Sequence, residues 1–430
     1  RSLDIAYYIW HDDVSGKMLF QMLQRAAQRG VRVRLLLDDN NTRGMDDVLA
    51  ALDAEDNIEI RLFNPFPHRK VRALGYLTDF PRLNRRMHNK SLTADNQYTI
   101  VGGRNIGDEY FNVTTDIGFA DLDVLAKGEV AEDVSRDFDR YWASGSSYPF
   151  FSIAPRADAE KGRLKLHRSR RDDAEIRASY LDELAASPLA AAISEGNVPW
   201  QYADARLISD DPAKGLARDK ELPAIADSLL EALGKPEKDV FIVSPYFVPS
   251  KWGMAALRDL TANNVKVTVL TNSLRATDVA AVHSGYARYR KDLLNAGVEL
   301  YEVKPDFAPP KIRDKGLTGS SATSLHAKTF VVDGKRVFIG SLNFDPRSAR
   351  LNTEMGMVID HAEIAGDMRQ ELEKITPQYA YKVVMDKQRK RLRWQDPDRP
   401  DVLLKNEPDA GIWKRIISNI FSILPIEKLL

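Results

Sequence analysis

The chain contains two copies of one pattern of residue types that could carry out chemistry on a phosphate ester. The copies are HNKSLTADNQYTIVGGRN (88–105) and HAKTFVVDGKRVFIGSLN (326–343). In both, a lysine follows the histidine by two positions, and an asparagine follows it by 17. Two matching copies are far more specific than one short motif. The candidate site residues are His88, Lys90, Asp95, Gly103 and Asn105 in the first copy, and His326, Lys328, Asp333, Ser341 and Asn343 in the second.

These residue types suit the transfer of a phosphoryl group. One imidazole, whose ordinary pKa is about 6.5, can attack phosphorus in its neutral form. The second can protonate the leaving alcohol and then deprotonate the incoming one. The lysines and asparagines can hold the non-bridging oxygens and stabilise the charge that develops in the transition state. The pattern therefore predicts a covalent phosphohistidine mechanism that needs neither a metal ion nor a cofactor.

The local sequence also predicts how these side chains are placed. Residues two apart in a strand face the same side, so each histidine is expected to project together with its lysine. Asp95 and Asp333 belong to the candidate catalytic set, but each begins a turn between two strands. We expect them to hold these turns by accepting backbone hydrogen bonds. The small residues Gly103 and Ser341 are expected to let the chain approach the phosphate closely.

Both motifs resemble those of the phospholipase D superfamily, and the resemblance extends over both halves of the chain. The segment GSLNFDPRSARLNTEMG (340–356) is especially similar to the bacterial cardiolipin synthases. This resemblance implies that the two motifs meet at one site between the halves, with His88 as the nucleophile and His326 as the general acid and base. It further implies transfer of a phosphatidyl group from phosphatidylethanolamine or phosphatidylglycerol to phosphatidylglycerol, which makes cardiolipin.

Two other reactions of the superfamily remain open on the motif alone. A hydrolase would pass the phosphatidyl group to water with the same residues and release phosphatidic acid. A nuclease is less favoured, because 62 basic and 62 acidic residues give a net charge of zero, whereas nucleic-acid binders usually carry a basic excess. The absence of cysteine excludes disulfides and thiolate nucleophiles. We expect phospholipids and not nucleic acid as partners, and the sequence does not indicate whether a protein partner takes part.

Each catalytic imidazole is expected to have a carboxylate that fixes its tautomer. The strand after each motif offers one, since FADLDVLAKG (119–128) aligns with NTEMGMVID (352–360). This alignment predicts Asp121 and Glu354 as the orienting carboxylates, with Asp123 as a close competitor of Asp121. The alternative is that both are solvated acids at strand ends.

The elements around the motifs predict an α/β fold. Strand–helix–strand patterns at 3–39 and 240–273 lie at similar distances before the two histidines, which indicates duplication. We expect two phospholipase D-like halves related by a pseudo-twofold axis, each a mixed, largely parallel sheet flanked by helices. The predicted divisions are a first half (1–145, in which the chain starts inside the fold), a connector with insertions (146–230), a second half (231–385) and a basic, amphipathic C-terminal segment (386–430).

Four segments are predicted to contact a membrane or solvent. The segment GIWKRIISNIFSILPIEKLL (411–430) has the apolar spacing of an interfacial helix, although a helix docked on the protein's own core fits equally well. The loops 68–86 and 306–324 mix basic and apolar residues and could lie over anionic headgroups. The basic run KQRKRLRW (387–394) is expected to form a solvated helix face. Together these features predict a peripheral protein of the bacterial inner membrane, bound by the C-terminal helix and the basic loops.

Overall fold

The computed structural model describes residues 1–69, 71–113, 117–216, 225–305, 322–386, 388–411 and 414–416. The strands are β1 (Ser2–Tyr7), β2 (Arg32–Asp38), β3 (Ile58–Phe63), β4 (Lys90–Ala94), β5 (Tyr98–Gly102), β6 (Ile117–Ala120), β7 (Asp123–Lys127), β8 (Ser147–Pro149), β9 (Asp204–Ser209), β10 (Asp239–Val243), β11 (Lys266–Asn272), β12 (Glu299–Val303), β13 (Ala322–Leu325), β14 (Thr329–Val332), β15 (Arg336–Gly340), β16 (Met355–Asp360), β17 (Ala380–Asp386), β18 (Arg391–Asp396) and β19 (Arg399–Leu404). The helices are α1 (Val14–Gln28), α2 (Asp46–Asp53), α3 (Arg72–Leu83), α4 (Asp108–Phe111), α5 (Glu129–Trp142), α6 (Phe150–Ile153), α7 (Ala159–Asp172), α8 (Ala174–Ala185), α9 (Pro188–Glu195), α10 (Ile225–Leu233), α11 (Ser250–Ala262), α12 (Ala280–Ala287), α13 (Arg290–Asn295), α14 (Pro346–Arg350) and α15 (Ala362–Tyr379).

Two mixed sheets, one from each half of the chain, form the framework. The first has the strand order β7-β5-β4-β1-β2-β3-β8 and the second the order β19-β18-β17-β12-β11-β10-β14-β15-β16-β9. The predicted α/β fold with flanking helices is confirmed, but the expectation of largely parallel pairing is wrong. Within these two sheets, as far as the described residues show, the parallel pairs are confined to β1–β2–β3 and β10–β11–β12. The motif strands β4–β5 and β14–β15 form hairpins, which are antiparallel because a short turn reverses the chain.

The segments outside the predicted halves contribute strands to both sheets. In the predicted connector, β8 pairs with β3 of the first sheet and β9 pairs with β16 of the second. The helix expected for the basic run 387–394 is wrong, because β18 pairs with β17 there. Trp394 anchors this strand, since it is buried and donates through Nε1 to Glu302 Oε2 at 2.9 Å, and the adjacent Arg393 is buried as well.

The two halves share a hydrophobic core. Phe241, Val243 and Val331 lie on one face of the second sheet and pack in one cluster with Val101 and Val134 of the first half. The strands β6 and β13, which come from different halves, also pair in parallel. The seam between the halves is therefore held by both apolar packing and backbone hydrogen bonds, and it is rigid enough to position a shared site.

Two of the predicted membrane contacts lie largely outside the described residues. These are the loop 306–324, described only from 322 onward, and the C-terminal helix at 411–430, of which only 411 and 414–416 are described. None of the helices in the described ranges is both long and apolar enough to cross a membrane.

Candidate active site

Each motif histidine is attached through its backbone to the opposite half. The N–H of His88, which precedes β4, donates to the carbonyl of Thr353 at 2.8 Å. The N–H of His326, which follows β13, donates to the carbonyl of Ala120, also at 2.8 Å. The two bonds are equivalent, because each joins a motif histidine of one half to a backbone carbonyl of the other half. A pseudo-twofold relation between the halves requires this equivalence. Both side chains are almost entirely buried at the seam, with exposed fractions of 7% for His88 and 6% for His326.

Each imidazole is bound by a carboxylate that belongs to the other half of the chain. Nδ1 of His88 lies 2.7 Å from Glu354 Oε2, and Nδ1 of His326 lies 2.5 Å from Asp121 Oδ2. Both carboxylate side chains are fully buried, so the alternative of solvated strand-end acids is wrong. The competitor Asp123 binds Arg104 Nε at 2.7 Å instead. Because the bonds use Nδ1, Nε2 of each ring remains for contact with a substrate.

Two buried lysines lie beside the imidazoles, as the i, i+2 spacing predicts. Lys90 and Lys328 are each 1% exposed. Nζ of Lys90 donates to the carbonyl of His88 at 2.5 Å, and Nζ of Lys328 donates to the carbonyl of His326. Burial lowers the pKa of both, to about 8 for Lys328. Two cations held in a dry site give an anionic phosphate a strong electrostatic partner.

The pKa values of the two imidazoles are lowered unequally. Burial, with the charges of Lys90 and Lys328, lowers the pKa of His88 well below its ordinary value. Burial and Lys328 also lower the pKa of His326, but Asp121 opposes this shift. Burial raises the pKa of Glu354, whereas His326 and Lys328 outweigh burial at Asp121 and lower its pKa to about 2. Burial therefore favours the neutral form of both rings, and the charge of Asp121 opposes this effect at His326.

The small motif residues contact carboxylates, so their predicted role in phosphate binding is not supported by their placement. A Cβ at Gly103 would lie 2.2 Å from Asp121 Oδ1, and only glycine leaves room for that carboxylate. Ser341 donates through Oγ to Glu354 Oε2 at 2.5 Å and accepts from the N–H of Met355 at 3.0 Å. The two positions are equivalent in the two halves, and each lies in contact with an orienting carboxylate.

The two motif asparagines are bound differently. Oδ1 of Asn105 accepts from the N–H of Ile9 at 3.2 Å, and its Nδ2 donates to the hydroxyl of Tyr110 at 3.0 Å. Its amide therefore holds neighbouring structure rather than standing open for a phosphate. The buried Oδ1 of Asn343 has no hydrogen-bond partner among the described residues. Asn343 is thus not bound to neighbouring structure through Oδ1 as Asn105 is, and only its Nδ2–H could donate to a phosphate oxygen.

The motif aspartates are not part of the imidazole cluster. Asp95 and Asp333 both adopt positive φ, 55° in each case, in the turns after β4 and β14. Oδ1 of Asp95 accepts from the N–H of Ser2 at 2.6 Å. Asp333 accepts from three consecutive backbone N–H groups, of which that of Lys238 is nearest at 2.7 Å. Both carboxylates hold turns, as their local sequence predicts, and their inclusion in a catalytic set is wrong by position.

Several site neighbours carry no signal in the sequence. The rings of Tyr110 and Phe119 lie 5.3 and 5.1 Å from the ring of His326. In the connector, Asp210 Oδ2 accepts from the N–H of Glu354 at 3.0 Å and from Lys214 Nζ at 2.9 Å. No motif marks these residues, because their relation to the site exists only after folding. Tyr8, whose ring lies 4.9 Å from that of His88, is detectable as the residue after a central parallel strand, where ligands commonly bind.

Comparisons with known proteins agree with this geometry. A family model described as cardiolipin synthase, PLD-like domain, matches residues 1–142 and 229–376. The chain is 49% identical to cardiolipin synthase C of Escherichia coli over all of this chain and 91% of that protein. It is 34% identical to an uncharacterised protein of Helicobacter pylori, over all of this chain and 85% of that protein.

A solved structure supports the fold independently of close sequence similarity. The crystal structure of phosphatidylserine synthase from Haemophilus influenzae matches all of this chain and 89% of that one, with a TM-score of 0.63 at 13% identity. At this identity the likeness concerns the fold alone. The predicted resemblance to the bacterial cardiolipin synthases, and among them to type C, is confirmed by the family match and by the identity. The chain belongs to the cardiolipin synthase family of phospholipase D-like proteins.

Proposed function

We propose that this protein makes cardiolipin by moving a phosphatidyl group from one phospholipid to a hydroxyl of phosphatidylglycerol through a covalent phosphohistidine. The observation that carries the proposal is the pair of crossed histidine–carboxylate bonds, 2.7 Å at His88 and 2.5 Å at His326, beside two buried lysines. The identity of 49% to a cardiolipin synthase supports the choice of lipid substrates. The donor is phosphatidylethanolamine or a second phosphatidylglycerol.

In the first step the donor is split. The lone pair on Nε2 of His88 forms a bond to phosphorus, and the bond from phosphorus to the headgroup oxygen breaks. That oxygen takes a proton from Nε2 of His326 and leaves as ethanolamine or glycerol. The lowered pKa of His88 supports its role as the neutral nucleophile, and the opposing effect of Asp121 on the pKa of His326 supports His326 as the acid.

In the second step the acceptor replaces the departed headgroup. His326 takes the proton of the phosphatidylglycerol hydroxyl, whose oxygen bonds to phosphorus while the nitrogen–phosphorus bond breaks. The electron pair returns to His88, and cardiolipin is released. Lys90 and Lys328 supply positive charge to the non-bridging oxygens in both steps. The nearly complete burial of both imidazoles favours a lipid alcohol over water as acceptor.

Product analysis tests the proposal directly. The purified protein is incubated with labelled phosphatidylglycerol vesicles, with and without phosphatidylethanolamine, and the lipids are separated. Cardiolipin is the expected product, with ethanolamine released if phosphatidylethanolamine is the donor and glycerol released if phosphatidylglycerol is. Phosphatidic acid without cardiolipin would assign hydrolysis instead, and unchanged lipids would reject both activities.

We also propose that the protein lies on the bacterial inner membrane, with α3 as one contact. Leu74, Leu77 and Phe80 of this helix are 48%, 83% and 46% exposed. The basic residues around it are engaged within the protein: Arg69 bonds to Asp39 and Asp46, and Arg72 lies near Asp39. In its described residues, the segment 68–86 thus offers apolar side chains for such a contact, while Arg69 and Arg72 are engaged within the protein, unlike in the expected basic loop. The C-terminal helix remains a second proposed contact.

Replacing Leu77 with glutamate is expected to weaken binding to phosphatidylglycerol vesicles. Full burial of a leucine contributes about 1.5–3 kcal/mol, so the partition coefficient should fall at least about tenfold. Vesicle co-sedimentation measures it. Leu164→Glu is the matched control, because Leu164 on α7 is also largely exposed, at 71%. Equal binding of the two variants would remove α3 from the contact surface.

A further inference from the structure

An open apolar groove lies in the second half, next to the motif. It has a volume of about 410 Å³, which is within the range of about 300–1,000 Å³ typical of ligand sites. Its floor is one face of the second sheet, formed by Ile242 of β10 and by Phe330 and Val332 of β14. Inner residues of α10 and α11, such as Leu229 and Leu257, form the walls. The groove is therefore built from rigid elements rather than from loops.

One end of the groove reaches the motif. Asn343, the last residue of the second motif, lines this end together with Leu342 and Asp345. The buried Oδ1 of Asn343 lacks a hydrogen-bond partner among the described residues. Asp227, Ser250 and Arg350 also border the groove, but its floor and inner walls are formed by hydrocarbon side chains.

One side of the groove's mouth is apolar. Leu230 of α10 and Trp252 of α11 line it and are 50% and 54% exposed. Exposed leucine and tryptophan beside an apolar cleft are typical of surfaces that meet another apolar body. A hydrocarbon chain could therefore enter past Leu230 and Trp252, while the exposed charges of Asp227 and Arg350 border other parts of the groove.

The two halves differ beside the motif at the asparagine rather than at the aromatic residue that precedes the helix. Strand pairing matches Trp10 with Phe247, because Trp10 bridges to Ile106 and Phe247 bridges to Phe344. Both rings are buried, at 3% and 0% exposed. The amide of Asn105 is satisfied by Ile9 and Tyr110, whereas Asn343 lines the groove.

We propose that this groove, defined by Ile242, Phe330, Val332, Leu229 and Leu257, binds one fatty acyl chain of a phospholipid whose headgroup lies at Asn343. This inference rests on the proposed function and deepens it, because it says which half holds the lipid tail. A hydrocarbon chain suits the lining, since it has no polar groups to satisfy. A peptide would bury backbone N–H and C=O groups against Ile242, Phe330 and Val332, which offer it no side-chain hydrogen bond.

Filling the groove tests the proposal through chain-length dependence. Ala256 lines the groove on α11 and is half-buried, so Ala256→Trp should occupy the space of the chain. Turnover of dioleoyl phosphatidylglycerol should fall at least about tenfold relative to that of the dihexanoyl lipid. The dihexanoyl lipid should be turned over as in the parent protein, because its chains are too short to need the groove. The matched control is Ala178→Trp, an exposed position on α8 that lines a different, shallow cleft.

The outcomes separate this proposal from the proposed function. Equal loss of turnover for both lipids, or no loss for either, overturns the groove as an acyl site. Absence of turnover by the parent protein on both lipids would instead reject the proposed function. Thermal unfolding of each variant reports whether the tryptophan is tolerated.

A second measurement does not depend on catalysis or on a folded tryptophan variant. The His88→Ala protein is irradiated with vesicles of phosphatidylglycerol that carries a diazirine in the middle of one chain, and the adducts are mapped by mass spectrometry. Adducts on Leu229, Leu230 or Leu257 are expected. Adducts confined to other surfaces, or no adducts at all, would contradict the proposal that the groove binds an acyl chain.

Discussion

Replacing His88 with alanine is expected to abolish cardiolipin formation. The substitution removes the nitrogen proposed to bond to phosphorus, and loss of a nucleophile typically costs at least about 10⁴-fold in kcat. Rapid acid quench after incubation with labelled phosphatidylglycerol measures the covalent lipid–protein adduct, and His88→Ala should form none. Burial of the side chain, 7% exposed, makes rescue by water at the same position unfavourable.

His326→Ala distinguishes the two imidazoles. It should also stop turnover of natural lipids, because the headgroup oxygen then leaves without a proton. With a phosphatidyl ester of a strongly acidic phenol, whose oxygen needs no proton, this variant should still release about one equivalent of phenol and retain the adduct. The reverse pattern, an adduct in His88→Ala but none in His326→Ala, would exchange the two roles. His167→Ala, an exposed histidine of α7, serves as the control and should behave as the parent protein.

Asp121→Asn and Glu354→Gln are expected to lower kcat by about 10³- to 10⁴-fold, as when a carboxylate that fixes a catalytic tautomer is replaced. Each amide keeps the size of the side chain but removes the charge bonded to Nδ1 of an imidazole in the other half. Steady-state kinetics on phosphatidylglycerol vesicles measures the loss. Because the two carboxylates serve different rings, both losses are expected even though the residues lie in different halves.

The pH dependence of kcat/KM shows whether Asp121 acts on the imidazole of His326 or only stabilises the fold. Asp121 raises the pKa of His326, so its removal should lower that pKa. The limb of the kcat/KM profile on which activity falls as His326 loses its proton should therefore move to lower pH in Asp121→Asn. Asp123→Asn is the matched control, because Asp123 binds Arg104 rather than an imidazole. If this limb of the kcat/KM profile stays at the same pH in Asp121→Asn, the carboxylate has only a structural role.

The sequence predicts well what depends on short spacing. The projection of Lys90 with His88 follows from the two-residue period of a strand. The turn roles of Asp95 and Asp333 follow from their place between two strands, and the structure has both at positive φ in such turns. The alignment of the post-motif strands identifies Asp121 and Glu354 because equivalent strands in two related halves present equivalent positions.

What depends on the docking of the halves could not be predicted in this way. Nothing local indicates that Glu354 binds the imidazole of the opposite half, since that pairing is set by the seam. The role of Gly103 is hidden for the same reason: the atom that occupies its missing Cβ position belongs to Asp121, which lies 18 residues further along the chain. Asn105 looks equivalent to Asn343 in sequence but is tied to Ile9 and Tyr110, which have no counterpart in the motif.

Strand pairing at the sheet edges could not be predicted from the sequence either. The run 387–394 carries enough basic residues to suggest a solvated helix, but the buried Arg393 and Trp394 and the pairing with β17 decide in favour of β18. The strand β9 lies in a connector without any motif, yet it completes the edge of the second sheet beside β16. Propensity gives way to tertiary pairing at such edges.

The crossing of carboxylates at the seam has a consequence for the descent of this architecture. A lone half carrying one His-Lys motif and one acid would leave its imidazole without a partner of its own. It could become competent only as a homodimer about a true twofold axis, in which each copy lends its acid to the other. Gene fusion would then have freed the two copies to diverge, so that Asn105 is bound to Ile9 and Tyr110 in one while Asn343 borders an open groove in the other.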